Sequence, residues 1–239
     1  MPQRDIADLV SRLAGDGLDR AQRSRLLVSL AGALGSGAKA AGGRAVVSGR
    51  WLSDLLTEQV APHLPVRDLL TLRGHYGLLS GDDLAKALVR TASRTTAGLG
   101  AAAGAVTAVE MAAPPTLLTA PVLLAATTLA VVAVELKLVA ELHVVYGRAP
   151  VGSRGQVAVA YLTAWAGRRA VPRHSRPDLA AALSTAIRQQ LRQRVMRRLG
   201  RNLSSLVPFL AGAVAGAELN RRETVSLGEA IMRDLTART

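Results

Sequence analysis

The chain has no cysteine. Disulfides, thiolate-bound zinc, iron–sulfur clusters and thiol nucleophiles are excluded, and the composition fits a reducing compartment. Aromatic residues are scarce, 3% of the total with a single Phe, so a core must be built from closely packed Ala, Leu and Val. Lysine supplies three of the 30 basic residues, which together with the Ala and Gly bias suggests a high-GC bacterial genome. The most telling absence is local. No charge occurs between Glu110 and Glu135, where residues 111–134 read MAAPPTLLTAPVLLAATTLAVVAV, and the stretch before it, AGLGAAAGAV, is nearly as apolar. Such a run is long enough to span a bilayer, and it equally suits the buried hairpin of a large helical core. The N-terminus lacks an apolar signal-peptide region. The expected location is therefore cytoplasmic, with membrane association if the apolar run or a basic face meets lipid.

What is present is positive charge. A net charge of +13 with a pI near 11.5 implies an acidic partner: an anionic membrane surface, an acidic protein or nucleic acid. The plain alternative is that the charge keeps a hydrophobic protein soluble. Residues 168–201 hold ten arginines and one acid. Within them Arg194, Arg197, Arg198 and Arg201 fall opposite Leu191, Val195 and Leu199 on a helix. A basic amphipathic helix of this kind can lie on an anionic bilayer or grip phosphates. Nucleic acid is the weaker alternative, because neither interleaved aromatics nor a known module is visible.

Helical periodicity dominates the chain. Ile6, Leu9, Val10 and Leu13 share one face, with Asp5 as the expected N-cap, and Leu26, Leu27 and Leu30 share another after the Gly15–Gly17 break. Residues 35–49, GSGAKAAGGRAVVSG, read as a flexible linker. This suggests an N-terminal helical segment, 1–49, followed by a helical domain, 50–239. Trp51–Val60 reads as a short helix ended by Pro62 and Pro65, and VRDLLTLRGHYG as another closed by Gly74 or Gly77. Ser80–Gly81–Asp82 caps the next. Residues 95–113 and 116–146 form two helical arms separated by Pro114–Pro115, which no helix interior accommodates unbroken. Gly147 is the expected end of the second arm. VAVAY, within 156–167, alternates like a strand in helical surroundings. Asp178 starts a helix to Leu199, with Leu183, Ile187, Leu191 and Val195 spaced by four. An apolar segment then leads to an amphipathic C-terminal helix at 223–236. The fold expected is all-α, a multi-helix bundle around a central Gly/Ala-rich hairpin.

Small residues recur every four positions at Gly100, Gly104, Ala108 and Ala112, and again at Gly212 and Gly216. Such glycine-zipper faces let two helix backbones approach closely, in membranes or in tight soluble cores, and they would also serve a homo-oligomer. Glu110, Glu135, Lys137 and Glu141 lie in otherwise apolar helices, where an unpaired charge is costly. Lys137 and Glu141 are four apart and can pair. Glu135 lies around the helix from both and needs another partner, such as Arg90, Arg94 or the late arginine cluster. A carboxylate metal site would want Glu-x-x-His pairs, whereas Glu141 and His143 are two apart. Gly98–Ala103 formally matches a dinucleotide fingerprint without a preceding strand. Gly32–Lys39 is similar to a phosphate-binding loop with its Lys displaced and Ala40 in place of the hydroxyl. His63, His75, His143 and His174 have no nucleophile or acid at readable spacing. No catalytic residue, metal or cofactor is assigned.

Three stretches resemble the EcsC family of hydrophobic, mostly helical bacterial proteins: GLGAAAGAV with the Pro-interrupted run after it, VELKLVAELHVVYG, and VPFLAGAVAGAELN. The resemblance covers roughly residues 80–235. It implies membrane association or a transport- or secretion-linked accessory role, and no reaction. The function expected is that of a non-enzymatic, membrane- or assembly-associated EcsC-like accessory protein. The alternative is a soluble helical adaptor whose basic face binds an acidic protein or nucleic acid.

Overall fold

The computed structural model describes residues 2–41, 50–112, 119–167, 185–193 and 209–237, and these form an all-α protein with no strand among the described residues. Helix α1 spans Pro2–Leu13 and α2 spans Arg20–Ala41. Helix α3, Arg50–Asp54, runs on into a π-helical turn, Leu55–Val60, and a 3-10 turn, Ala61–His63. There follow α4 (Leu69–His75), α5 (Gly81–Ala112), α6 (Thr119–Val145), α7 (Arg154–Gly167), the helical residues 185–193, and α8 (Phe209–Thr236).

Helix α6 is the axis of the molecule. It touches α1, α2, α5, α7 and α8, and apolar residues occur on every side of it, as expected of a helix enclosed by others. Leu123 and every residue from Ala125 to Leu142 are buried. Among the described residues one helical stretch, Val122–Val145, is long and apolar enough to cross a membrane, with mean hydropathy 2.1, and 89% of its most apolar window is buried inside the protein. Helices α1 and α2 contribute Ile6, Val10, Leu13, Leu27, Leu30 and Leu34 to the same core as α5 and α6.

Helix α6 ends in a Schellman motif. Gly147, at φ +64°, turns the chain, Arg148 N donates to His143 O at 2.8 Å, and Gly147 N donates to Val144 O at 3.1 Å. This satisfies carbonyls that the last turn leaves without partners. Tyr146 Oη donates to Asp82 Oδ1 at 2.7 Å, tying the end of α6 to the start of α5. Pro121 lies in the first turn of α6, where its missing N–H costs little. Helix α2 begins with a reciprocal capping box: Gln22 N donates to Asp19 Oδ1 at 2.7 Å, and Asp19 N to Gln22 Oε1 at 2.9 Å.

Three local expectations are corrected, and one reading left open between strand and helix, VAVAY, is decided. Helix α1 begins at Pro2, so Asp5 lies in its first turn rather than at its N-cap; Pro suits that first position and a carboxylate suits the positive helix end. Residues 35–41 continue α2 instead of forming a linker. A Cβ on Gly37 would sit 3.4 Å from Trp51 Cζ2, so this Gly-rich end is covered by an aromatic ring, and tertiary contact outweighs weak helix propensity. VAVAY is helical: Ala158, Tyr161, Leu162, Trp165 and Ala166 are buried at three- and four-residue spacing. The C-terminal helix begins at Phe209 and runs unbroken through Asn220. Residues 42–49, the Pro114–Pro115 break and the basic loop beyond Gly167 lie outside the described residues.

Candidate functional site

The strongest concentration of polar groups inside the protein joins α5, α6, α7 and α8. Glu135, at 0% exposure on α6, accepts a hydrogen bond from Trp165 Nε1 on α7 at 2.9 Å. Thr224 Oγ1 on α8 donates to its other oxygen at 3.5 Å. Thr96 and Thr224 hydroxyls are 2.9 Å apart, and Asn220 Nδ2 donates to Thr96 O at 3.1 Å. A chain from Thr96 to Thr224 to Glu135 uses each hydroxyl proton once. Thr96, Thr224 and Trp165 are fully buried and Asn220 nearly so, so each bond is made in a low dielectric where leaving it unmade is costly.

The network depends on close approach of α5 and α8, the most extensive helix pairing in the molecule. At Gly100 an added Cβ would meet Gly216 O at 2.8 Å, Ala217 N at 2.9 Å and Asn220 Nδ2 at 2.9 Å. Two of these are backbone atoms, so only glycine fits. At Gly216 the nearest atom would be Gly100 O at 3.9 Å, an ordinary contact. Gly104 and Gly212 lie one turn further along the same helices. A second tight point, invisible in the four-residue pattern, is Gly228, where a Cβ would fall 2.5 Å from Val89 Cγ2.

Lys137 and Glu141, the other buried charges of α6, form a separate cluster toward its C-terminal end. Arg67 grips Glu141 with both arms of its guanidinium, Nε to Oε1 at 2.8 Å and Nη2 to Oε2 at 2.9 Å. Its third nitrogen reaches Asp16 at 2.9 Å. Lys137 Nζ lies 3.6 Å from Glu141 Oε1. The Glu141 hydrogen bond, which outweighs the opposing effect of burial, holds the Arg67 guanidinium well above its ordinary value. Arg67 also lies over the Tyr76 ring, 5.7 Å from its centroid. Arg67 lies just before α4, within a stretch expected to be helical, and its distance of 74 residues from Glu141 left no local signal of this role.

Of the residues singled out in the sequence, Glu135, Lys137 and Glu141 thus sit on one helix in two clusters. Glu110 lies near the C-terminal end of α5, and its side chain is outside the described residues, as are Arg194, Arg197, Arg198 and Arg201. Arg90 and Arg94 are exposed on α5, away from Glu135. Gly98–Ala103 lies inside α5 and Gly32–Lys39 inside α2, so neither forms the strand-to-helix loop that a nucleotide phosphate needs. No group of three metal-ligating side chains occurs among the described residues. Chemically, both clusters are ties: each buried carboxylate faces donors that neutralise or solvate it. Compared with protein-family models, curated proteins and solved structures, the chain matches none.

Proposed function

We propose that the chain is a non-enzymatic accessory protein of EcsC-like type that docks on an anionic membrane surface through its arginine-rich exterior, without entering the hydrocarbon. The observation that carries this reading is the burial of α6. The run long enough to span a bilayer is the centre of the helical core, so the outward-facing arginines are the groups that meet a partner. In the described part of the basic segment, Ile187 and Leu191 are buried in the core and Arg192 is exposed, so the side that faces outward is the charged one. Helix α4 adds an apolar anchor in Leu70, which is 81% exposed. The three stretches that carry the EcsC resemblance also converge in space: Gly100 faces Gly216, and Asn220 and Thr224 lead from it to Glu135.

Binding by charge must weaken steeply with salt. The test is cosedimentation with phosphatidylcholine vesicles, with and without phosphatidylserine, for the wild type and a variant with Arg194, Arg197, Arg198 and Arg201 all replaced by Gln. Each arginine near such a leaflet contributes about 1 kcal/mol, so the variant should lose about 4 kcal/mol at low salt and keep its helix content. Loss on duplex DNA alone would transfer the reading to nucleic acid. A wild type that binds neither vesicles nor DNA at low salt overturns it.

A further inference from the structure

The turn between α1 and α2 lies against α5, and a cleft of about 410 Å³ opens between them. Its α5 wall presents Thr91, Arg94, Thr95 and Gly98, spaced as one helix face. Its other wall carries Arg20 and Arg23, with one carboxylate, Asp16, at its edge. Arg23 stands out because it is 8% exposed yet forms no salt bridge among the described residues. Its Nε donates to Leu18 O at 3.2 Å and its Nη1 to Thr95 O at 3.1 Å. Both acceptors are neutral, and the guanidinium has five donors. The nearby carboxylates are engaged elsewhere: Asp16 accepts from Arg67 at 2.9 Å, and Asp19 caps α2. Burial lowers the Arg23 value, opposed by the charges of Asp16 and Asp19. Gly98 makes the arrangement possible, since a Cβ there would lie 2.6 Å from Arg23 Nη1. The Thr91 and Thr95 hydroxyls make no hydrogen bond among the described residues, and Arg20 and Arg94 are exposed.

A nearly buried cation with no direct salt bridge among the described residues, its two nearby carboxylates engaged by Arg67 and the α2 cap, and flanked by two exposed cations and two hydroxyls, is set up to receive an anion. We propose that this cleft binds a phosphate group, with Arg23 supplying the buried charge, Arg20 and Arg94 the outer ones, and Thr91 and Thr95 further donors. Three guanidiniums match a dianion better than a single carboxylate. The inference stands apart from docking through the basic exterior, since no cleft residue belongs to segment 168–201.

The test is the thermal midpoint of the full chain in inorganic phosphate against chloride at equal ionic strength, with calorimetry for affinity. Phosphate should raise the wild-type Tm beyond the chloride effect, because it binds the folded state. Arg94→Gln, on an exposed position, should weaken phosphate by about tenfold or more. Gly98→Ala displaces the Arg23 guanidinium, at 2.6 Å from the added Cβ, so it should lose the phosphate response, read as the Tm difference between phosphate and chloride for the same variant. The two variants carry the test even if Arg23→Gln fails to fold. Vesicles of phosphatidylcholine with and without phosphatidic acid separate the sources. Wild-type binding that Gly98→Ala lacks and free phosphate competes away identifies a lipid headgroup; response to free phosphate alone identifies a soluble ligand. The fourfold Arg→Gln variant in 194–201 should retain the phosphate response. A phosphate effect equal to that of chloride, or equal in wild type, Arg94→Gln and Gly98→Ala, overturns the proposal.

Discussion

Two glycines on facing helices carry opposite expectations. Gly100→Ala drives a methyl into the backbone of α8, at 2.8 Å from Gly216 O, and should destabilise by about 1–3 kcal/mol. Gly216→Ala meets only an atom at 3.9 Å and should be neutral or stabilising by up to about 1 kcal/mol, the helix-propensity gain. Urea denaturation of the two variants distinguishes them, and equal losses would mean that close approach is not what selects glycine. At Glu135 the partner is the Trp165 indole, at 2.9 Å. Glu135→Gln keeps an acceptor for it, whereas Glu135→Ala leaves a buried N–H unsatisfied and opens a cavity. The Ala variant should therefore cost about 2 kcal/mol more than the Gln variant, read by chemical unfolding. His143 gives a pH signature. Burial holds its imidazole below the ordinary 6.5, opposed by its hydrogen bond to Val139 O. The fold thus favours the neutral ring, and the unfolded chain takes up the proton first as pH falls. Its contribution is fully present above pH 6.5 and declines below it. His143→Gln should flatten the fall in Tm between about pH 7 and pH 5; parallel curves for the two proteins would contradict this.

At the level of elements, Arg67 is the joint between an irregular segment and the central helix. Arg67→Ala strips Glu141, whose side chain is 3% exposed, of its two-armed partner, leaving Lys137 at 3.6 Å. The loss should be about 3 kcal/mol, and Arg67→Lys should recover only part of it because an ammonium lacks the fork. A thermal melt that does not move in Arg67→Ala would show that Lys137 suffices. The same residue marks how far sequence reasoning reaches. Lys137 and Glu141 could be paired on paper because four residues make one helical turn, and Gly147 could be read as a helix end because the αL conformation favours glycine. The second long arm, expected at 116–146, was legible from its apolar run and spans Thr119–Val145, whereas the first, expected at 95–113, starts at Gly81 and is continuous with the helix read separately before it. Arg67, Trp165 and Thr224 were not legible as partners, since nothing local links them to α6. Helix α2 was underestimated at 35–41 because its Gly-rich end gains its stability from Trp51, a tertiary contact. Alternation over the five residues of VAVAY was too short to outweigh the helical spacing of its buried neighbours.

For the whole molecule, the decisive relation is between one predominantly apolar central helix, with its few charges buried and tied, and an exterior rich in arginine. A helix this apolar is unstable in water alone, and it is enclosed by α1, α2, α5, α7 and α8. Most of the positive charge is carried outside, where it can act on an anionic surface through a field that salt screens. Insertion would instead require α6 to exchange its protein neighbours for lipid and to break the Glu135 and Glu141 ties, at a cost of several kcal/mol for each buried charge, roughly. The account therefore allows attachment to a membrane only from its surface. Alkaline carbonate extraction of membranes from cells producing the full chain, read by immunoblot, tests this most directly. Release of the protein into the supernatant is the predicted result. Retention in the membrane pellet together with integral proteins would contradict the account and make α6 a membrane span.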